Sequence, residues 1–132
     1  MNFVRKSAVI LATVACFAVI TPVVWAAGGH VHVEPAHGGK VVESSAYHVE
    51  WLLQNGALTI YLSDAKGVAV AAKGHTGSVL VMASDGRKGP FTLTAGEANK
   101  MTAAGVPTFA PPASAILTLT DAKGAAHQFK LK

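Results

Sequence analysis

Three of the chain's six histidines, His30, His32 and His37, fall within eight residues, with Glu34 between them. In the run His30-Val31-His32-Val33-Glu34, potential donors alternate with valines. In an extended backbone such a run projects its donors to one side, with neighbours about 6.6 Å apart. Two imidazoles at that spacing can close on one ion when the backbone adjusts, and His37 can swing in beyond Pro35. Imidazole with carboxylate suits Cu(II), Zn(II), Ni(II) or Co(II), and the affinity order favours copper at equal concentration. The competing reading is a solvated histidine-bearing tail that holds no ion.

The residues before this cluster set its context. Arg5 and Lys6 precede an almost wholly apolar run, Ser7 to Trp25, and small residues follow at Ala26 and Ala27. Basic, apolar and small segments in that order predict a secretory signal over 1–26, cleaved after Ala26. A retained transmembrane anchor is the alternative, because the run is just long enough to span a bilayer. A lipoprotein reading would use Cys16, but Thr13 suits the lipid box poorly and the apolar run continues past the cysteine. Cleavage after Ala27 would instead expose Gly28-Gly29-His30. That terminus offers a square-planar set of four nitrogens suited to Cu(II) and Ni(II).

Processing also changes what the composition excludes. The formal charge of +4 includes Arg5 and Lys6; without them nine Lys and Arg face seven Asp and Glu, or +2. The remaining lysines are scattered, so a nucleic-acid partner is not expected. The single cysteine, Cys16, lies inside the leader. A processed chain of about 106 residues therefore has no disulfide and no thiolate site, and relies on its apolar core. No serine sits in a G-x-S-x-G turn, the carboxylates are dispersed, and no glycine loop joins a strand to a helix. An enzyme is not expected.

The elements that must position the histidines read as strands and tight turns. Ala46 to Leu53 places Tyr47, Val49, Trp51 and Leu53 on one face and His48 and Glu50 on the other, a period of two. Asn55-Gly56 then predicts a two-residue hairpin, since both central positions of a type I′ turn need positive φ. Leu58 to Ser63 follows as the partner strand. Asp64-Ala65-Lys66-Gly67 turns the chain, and the tetrad recurs at Asp121-Ala122-Lys123-Gly124. In each, Asp caps the turn and Gly takes the left-handed position. Further strands are expected at 67–73 (weak), 77–83, 90–95, 114–120 and 125–131. Residues 97–104 suit one or two helical turns, and Pro107, Pro111 and Pro112 keep the next stretch irregular.

About seven short strands separated by Gly and Asp turns predict an all-β fold, a single antiparallel β-sandwich of immunoglobulin type over 41–132. A small barrel is the main competitor. Residues 27–40 form a His- and Gly-rich segment before it, and Gly38-Gly39 gives that segment a free joint. His48, opposite the apolar face of its strand, is expected at the surface, and His75 in a turn. His127 and Met82 alternate with core residues and read as packing. Met101 is freer, and Tyr47 and Trp51 share the core face.

The ordered set His37-Gly38-Gly39-Lys40-Val41, Tyr47-His48-Val49-Glu50 and Leu58-Thr59-Ile60-Tyr61-Leu62-Ser63-Asp64 resembles a known pattern. It is similar to small exported proteins and to amino-terminal domains of periplasmic adaptor subunits of heavy-metal efflux pumps of the resistance-nodulation-division type. The likeness extends loosely to Gly77-Ser78-Val79 and Leu93-Thr94-Ala95. It implies a periplasmic β-rich domain tied to metal handling, and places His37, His48 and Glu50 on the family pattern. The chain is too short for an adaptor's helical hairpin, lipoyl-like domain and barrel domain.

The sequence thus predicts a periplasmic protein that binds a divalent transition metal, Cu or Zn before Ni or Co. The expected ligands are His30, His32, Glu34, His37, His48 and Glu50, and a component of an efflux pump is the expected partner. The alternative is a metal-free module that docks on an efflux or envelope component through a strand edge or aromatic surface.

Overall fold

A computed structural model describes residues 32–132. The leader expected over 1–26, the Gly-Gly-His possibility and His30 lie outside the described residues. Among the described residues there is no helix, and so none long and apolar enough to cross a membrane.

The strand pair that carries the motif forms as its alternation dictates. β2 (Tyr47–Gln54) and β3 (Ala57–Asp64) pair antiparallel along their whole length, from Tyr47↔Asp64 to Gln54↔Ala57. Asn55 and Gly56 connect them with φ of 51° and 73°, the two left-handed positions that the turn requires. A short strand, β1 (Lys40–Glu43), lies along the other side of β2, with Val41 opposite Glu50 and Glu43 opposite His48. Strand character here escapes a reading by pattern, because four residues with only Val42 packed on the core show no clear period.

The remaining strands are β4 (Thr76–Ala83), β5 (Gly86–Ala95), β6 (Lys100–Ala104), β7 (Ser114–Thr120) and β8 (Ala126–Leu131). Two expectations change. Residues 100–104 are a strand rather than helical turns: Met101 and Ala103 are buried between exposed Lys100 and Ala104, a period of two. Met101 is therefore core, not a free thioether. The weak strand expected at 67–73 reduces to one bridge, Ser63↔Ala69.

The eight strands form one antiparallel sheet in the order β1-β2-β3-β6-β5-β4-β7-β8. This is a single curled sheet, nearer a barrel than the two-layer sandwich expected from strand count. The inward faces supply the core, including Val49, Ile60, Leu62, Val79, Met101, Leu117, Leu119 and Leu131, all at most 1% exposed. The curl brings β1 and β8 alongside each other. The ends of that seam are bridged by side chains. Lys40 Nζ donates to the Lys132 carbonyl at 2.9 Å, and at the other end the Tyr47 and His127 rings meet edge to face, centroids 4.9 Å apart.

Candidate functional site

Because Val49 and Trp51 point into the core, His48 and Glu50 point away from it. Outward residues on a sheet face are ordinarily wet, yet His48 is 3% and Glu50 7% exposed. The expectation that His48 is a surface residue is thus corrected. The chain before β1 folds back over this face as a strap. Strap residues Val33, Glu34, Ala36 and His37 join His48, Glu50 and Tyr61 around a cleft of about 270 Å³. Gly67 and Ala69, after β3, close its far side.

Glu50 anchors the strap. Its Oε1 accepts from the backbone amides of His37 at 2.7 Å and Gly39 at 2.9 Å. Its Oε2 accepts from the Ala36 amide at 3.0 Å and bonds His37 Nδ1 at 2.8 Å. Burial alone would raise the Glu50 carboxyl. The hydrogen bonds from the Gly39 amide, the His37 ring and the other two amides outweigh it and hold the group below the ordinary carboxylate range. The His37 ring lies flat on Tyr61, centroids 3.6 Å apart and planes 4° apart.

The two glycines of the motif have separate jobs. Gly38 sits at φ +77°, a left-handed turn that a side chain resists. Gly39 passes so close to β2 that a Cβ would stand 2.6 Å from the Trp51 carbonyl oxygen and 2.9 Å from Glu50 Cγ. The sequence reading made this pair a free joint; the structure makes it a tight seat.

With Glu50 ionised, a neutral His37 carries its proton on Nδ1, facing Oε2, and keeps the Nε2 lone pair free. A carboxylate that fixes an imidazole in this way is the usual outer partner of a metal-binding histidine. Four of the six expected ligands, Glu34, His37, His48 and Glu50, line the one cleft. His32 lies apart: its side chain is 96% exposed and Nδ1 stands 3.5 Å from Glu43 Oε1. Among the described residues, no three His, Cys, Asp or Glu side chains are gathered closely enough to form a ready cage for an ion. Any ion held here would require the strap's donors to close.

Sequence reasoning missed Tyr61, Glu43 and the seating role of Gly39. A signal existed for Tyr61, since a hairpin centred on Asn55-Gly56 sets it opposite Glu50.

A second polar cluster lies at the other end of the seam. Tyr47 OH is 3.3 Å from His75 Nε2, and His127 Nε2 is 3.4 Å from Asp121 Oδ2. His75 is not an open turn residue; it is 9% exposed, and its Nδ1 is buried without a hydrogen-bond partner. Burial, and then the charge of Asp121, push the Tyr47 hydroxyl above its ordinary value. Asp121 Oδ1 meanwhile accepts from the Lys123 and Ala125 amides at 2.9 Å each. Asp64 Oδ1 does the same for Lys66 and Val68 in the first tetrad.

No family model matches the chain, and neither the curated proteins nor the solved structures hold a match.

Proposed function

We propose that the protein is a periplasmic accessory of heavy-metal resistance that binds a divalent transition metal through its strap histidines. The observation that carries this reading is the Glu50–His37 pair at 2.8 Å, which fixes one ring nitrogen and leaves the other to bind. The basic, apolar and small order of the leader supports export, with loss of residues 1–26. The resemblance to the adaptor domains supports a link to efflux, with a pump component as partner. Imidazole and carboxylate donors suit Cu(II) and Zn(II), then Ni(II) and Co(II). His37, His48 and Glu34 at the cleft, with His32 and His30 ahead of them, are the donors that would hold the ion.

Protons compete with the ion for imidazole, so binding weakens as pH falls through about 6.5. The test is a titration of the purified protein with Cu(II) and Zn(II) at pH 7.5 and 5.5, beside a variant with His30, His32 and His37 changed to Ala. Saturable binding at the higher pH that is lost in the variant supports the reading. Equal binding by both proteins moves the site away from the strap.

A docking module is the second reading, and one observation favours it. β5 pairs with β6 only at Thr94 and Ala95, so its exposed first half, Gly86–Pro90, presents a free edge. Lys88 and Pro90 on that edge are the residues that blunt strand addition, which ranks this reading second.

A further inference from the structure

We infer that Glu43, not Glu50, is the carboxylate that would share the ion with the strap histidines, an inference that rests on the metal-binding reading and names a ligand of that same site. An ionised carboxylate has about four acceptor positions. At Glu50 three amides and the His37 ring take them up. An ion there would have to displace the bonds that seat the strap.

Glu43 is differently placed. Its Oε1 stands 3.5 Å from His32 Nδ1, too far for a strong hydrogen bond. Two donors each about 2.0–2.1 Å from a tetrahedral ion stand roughly 3.4 Å apart. The pair is therefore spaced as two neighbouring corners of a coordination shell. The β1–β2 register sets Glu43 directly opposite His48, and side chains paired in this way share a face, with Cβ atoms about 5 Å apart. His48 brings an independent sign of a missing partner, because it is 3% exposed and its Nδ1 has no hydrogen-bond partner. A buried polar atom of that kind asks for an explanation.

Beside His37 Nε2, the three residues His32, Glu43 and His48 add two nitrogens and one oxygen, a set suited to Zn(II) or Cu(II). The three are not gathered round one point as they stand. The 96% exposed His32 side chain is the arm that closes, while the strands fix the other two. Glu50 then acts as a positioning residue that holds the strap and His37.

The test is a competition titration with Zn(II) against a chromophoric chelator, using protein purified after expression of the full chain, and its Glu43→Gln, Glu43→His and Glu43→Ala variants. Glu43 is exposed, so all are expected to fold, checked by circular dichroism and Tm. Glu43→Gln and Glu43→Ala should weaken binding about tenfold or more, the scale on which lost metal-site groups act. Glu43→His should retain binding within about threefold, because a neutral imidazole restores a donor without restoring the charge. Unchanged binding in Glu43→Gln overturns the inference. Equal weakening in Glu43→Gln and Glu43→His also overturns it, because the residue then acts through its charge alone. If the parent protein shows no saturation, the metal-binding reading itself falls, and this inference with it; parent binding with an indifferent Glu43 removes only the inference.

Discussion

Two residues of β2, Glu50 and Tyr47, serve polar clusters of opposite character. On the outer face Glu50 collects four donors at 2.7 to 3.0 Å. At the end of the seam Tyr47 joins a cluster whose contacts between side chains are 3.3 and 3.4 Å, and each cluster leaves one buried ring nitrogen unpaired, His48 Nδ1 in the first and His75 Nδ1 in the second. Glu50 itself is fully satisfied, and low dielectric strengthens each of its bonds. The second is a packed aromatic corner with loose polar contacts. The difference teaches that histidine content alone does not mark the site. The arrangement that fixes a ring and frees its second nitrogen occurs at His37.

The comparison can be broken by substitution. The largest effect is expected from Glu50→Ala, which strands the three strap amides and the His37 ring. Loss of a buried, hydrogen-bonded charge costs roughly 3 kcal/mol or more, read by urea unfolding; a loss under 1 kcal/mol would show that the strap is not anchored there. Gly39→Ala comes next, at about 2 kcal/mol, because its Cβ meets β2 backbone at 2.6 Å and that contact must be relieved by strain. The same change at Gly86, where a Cβ meets nothing within 4 Å, lacks that clash and serves as the control, carrying only the cost of its own φ of 121°.

Acid sharpens the contrast. The Glu50 carboxyl lies lower in the folded than in the unfolded chain. Its contribution is therefore complete above the unfolded value, and is lost as pH falls through the folded one. The hydrogen bonds to Asp64 and Asp121, led by the Val68 and Ala125 amides, lower those groups too. Glu50→Gln should thus remove part of the stability change seen below about pH 4.5 and leave the rest. An acid profile identical to the parent's would show that Glu50 gains nothing from the strap. The smallest effect is expected at the seam. His75→Phe removes the unpaired nitrogen but keeps a ring, and should change stability by about 1 kcal/mol or less. A loss as large as that of Glu50→Ala would place the stronger network at Tyr47 instead.

Much of this was legible in the sequence, and the reasons are local. Asn55-Gly56 set the hairpin and its register, and both Asp-Ala-Lys-Gly tetrads turn as their residue types require, with Gly67 at φ 82° and Gly124 at 87°. Donors were placed correctly on one face of β2. What covers that face was not legible: burial of His48 depends on residues eleven to fifteen positions away folding back, and no period reports that. Nor could the pattern show that Glu50 spends its oxygens on backbone amides, which carry no side-chain signature. Strand order has the same origin. The crossing from β3 to β6 and from β4 to β7 arises from long-range packing, so strand count alone suggested two layers where one sheet curls.

The central claim is that Glu50 holds the His37 Nδ1 proton and leaves Nε2 to bind a cation. Ring ¹⁵N spectra of the protein at pH 7.5, recorded through a Zn(II) titration, test it directly. The expected result is a protonated Nδ1 in the free protein, and a saturable shift at Nε2 while Nδ1 keeps its proton. A His37 ring protonated at Nε2, or one whose nitrogens ignore Zn(II) up to saturation of the protein, would contradict it.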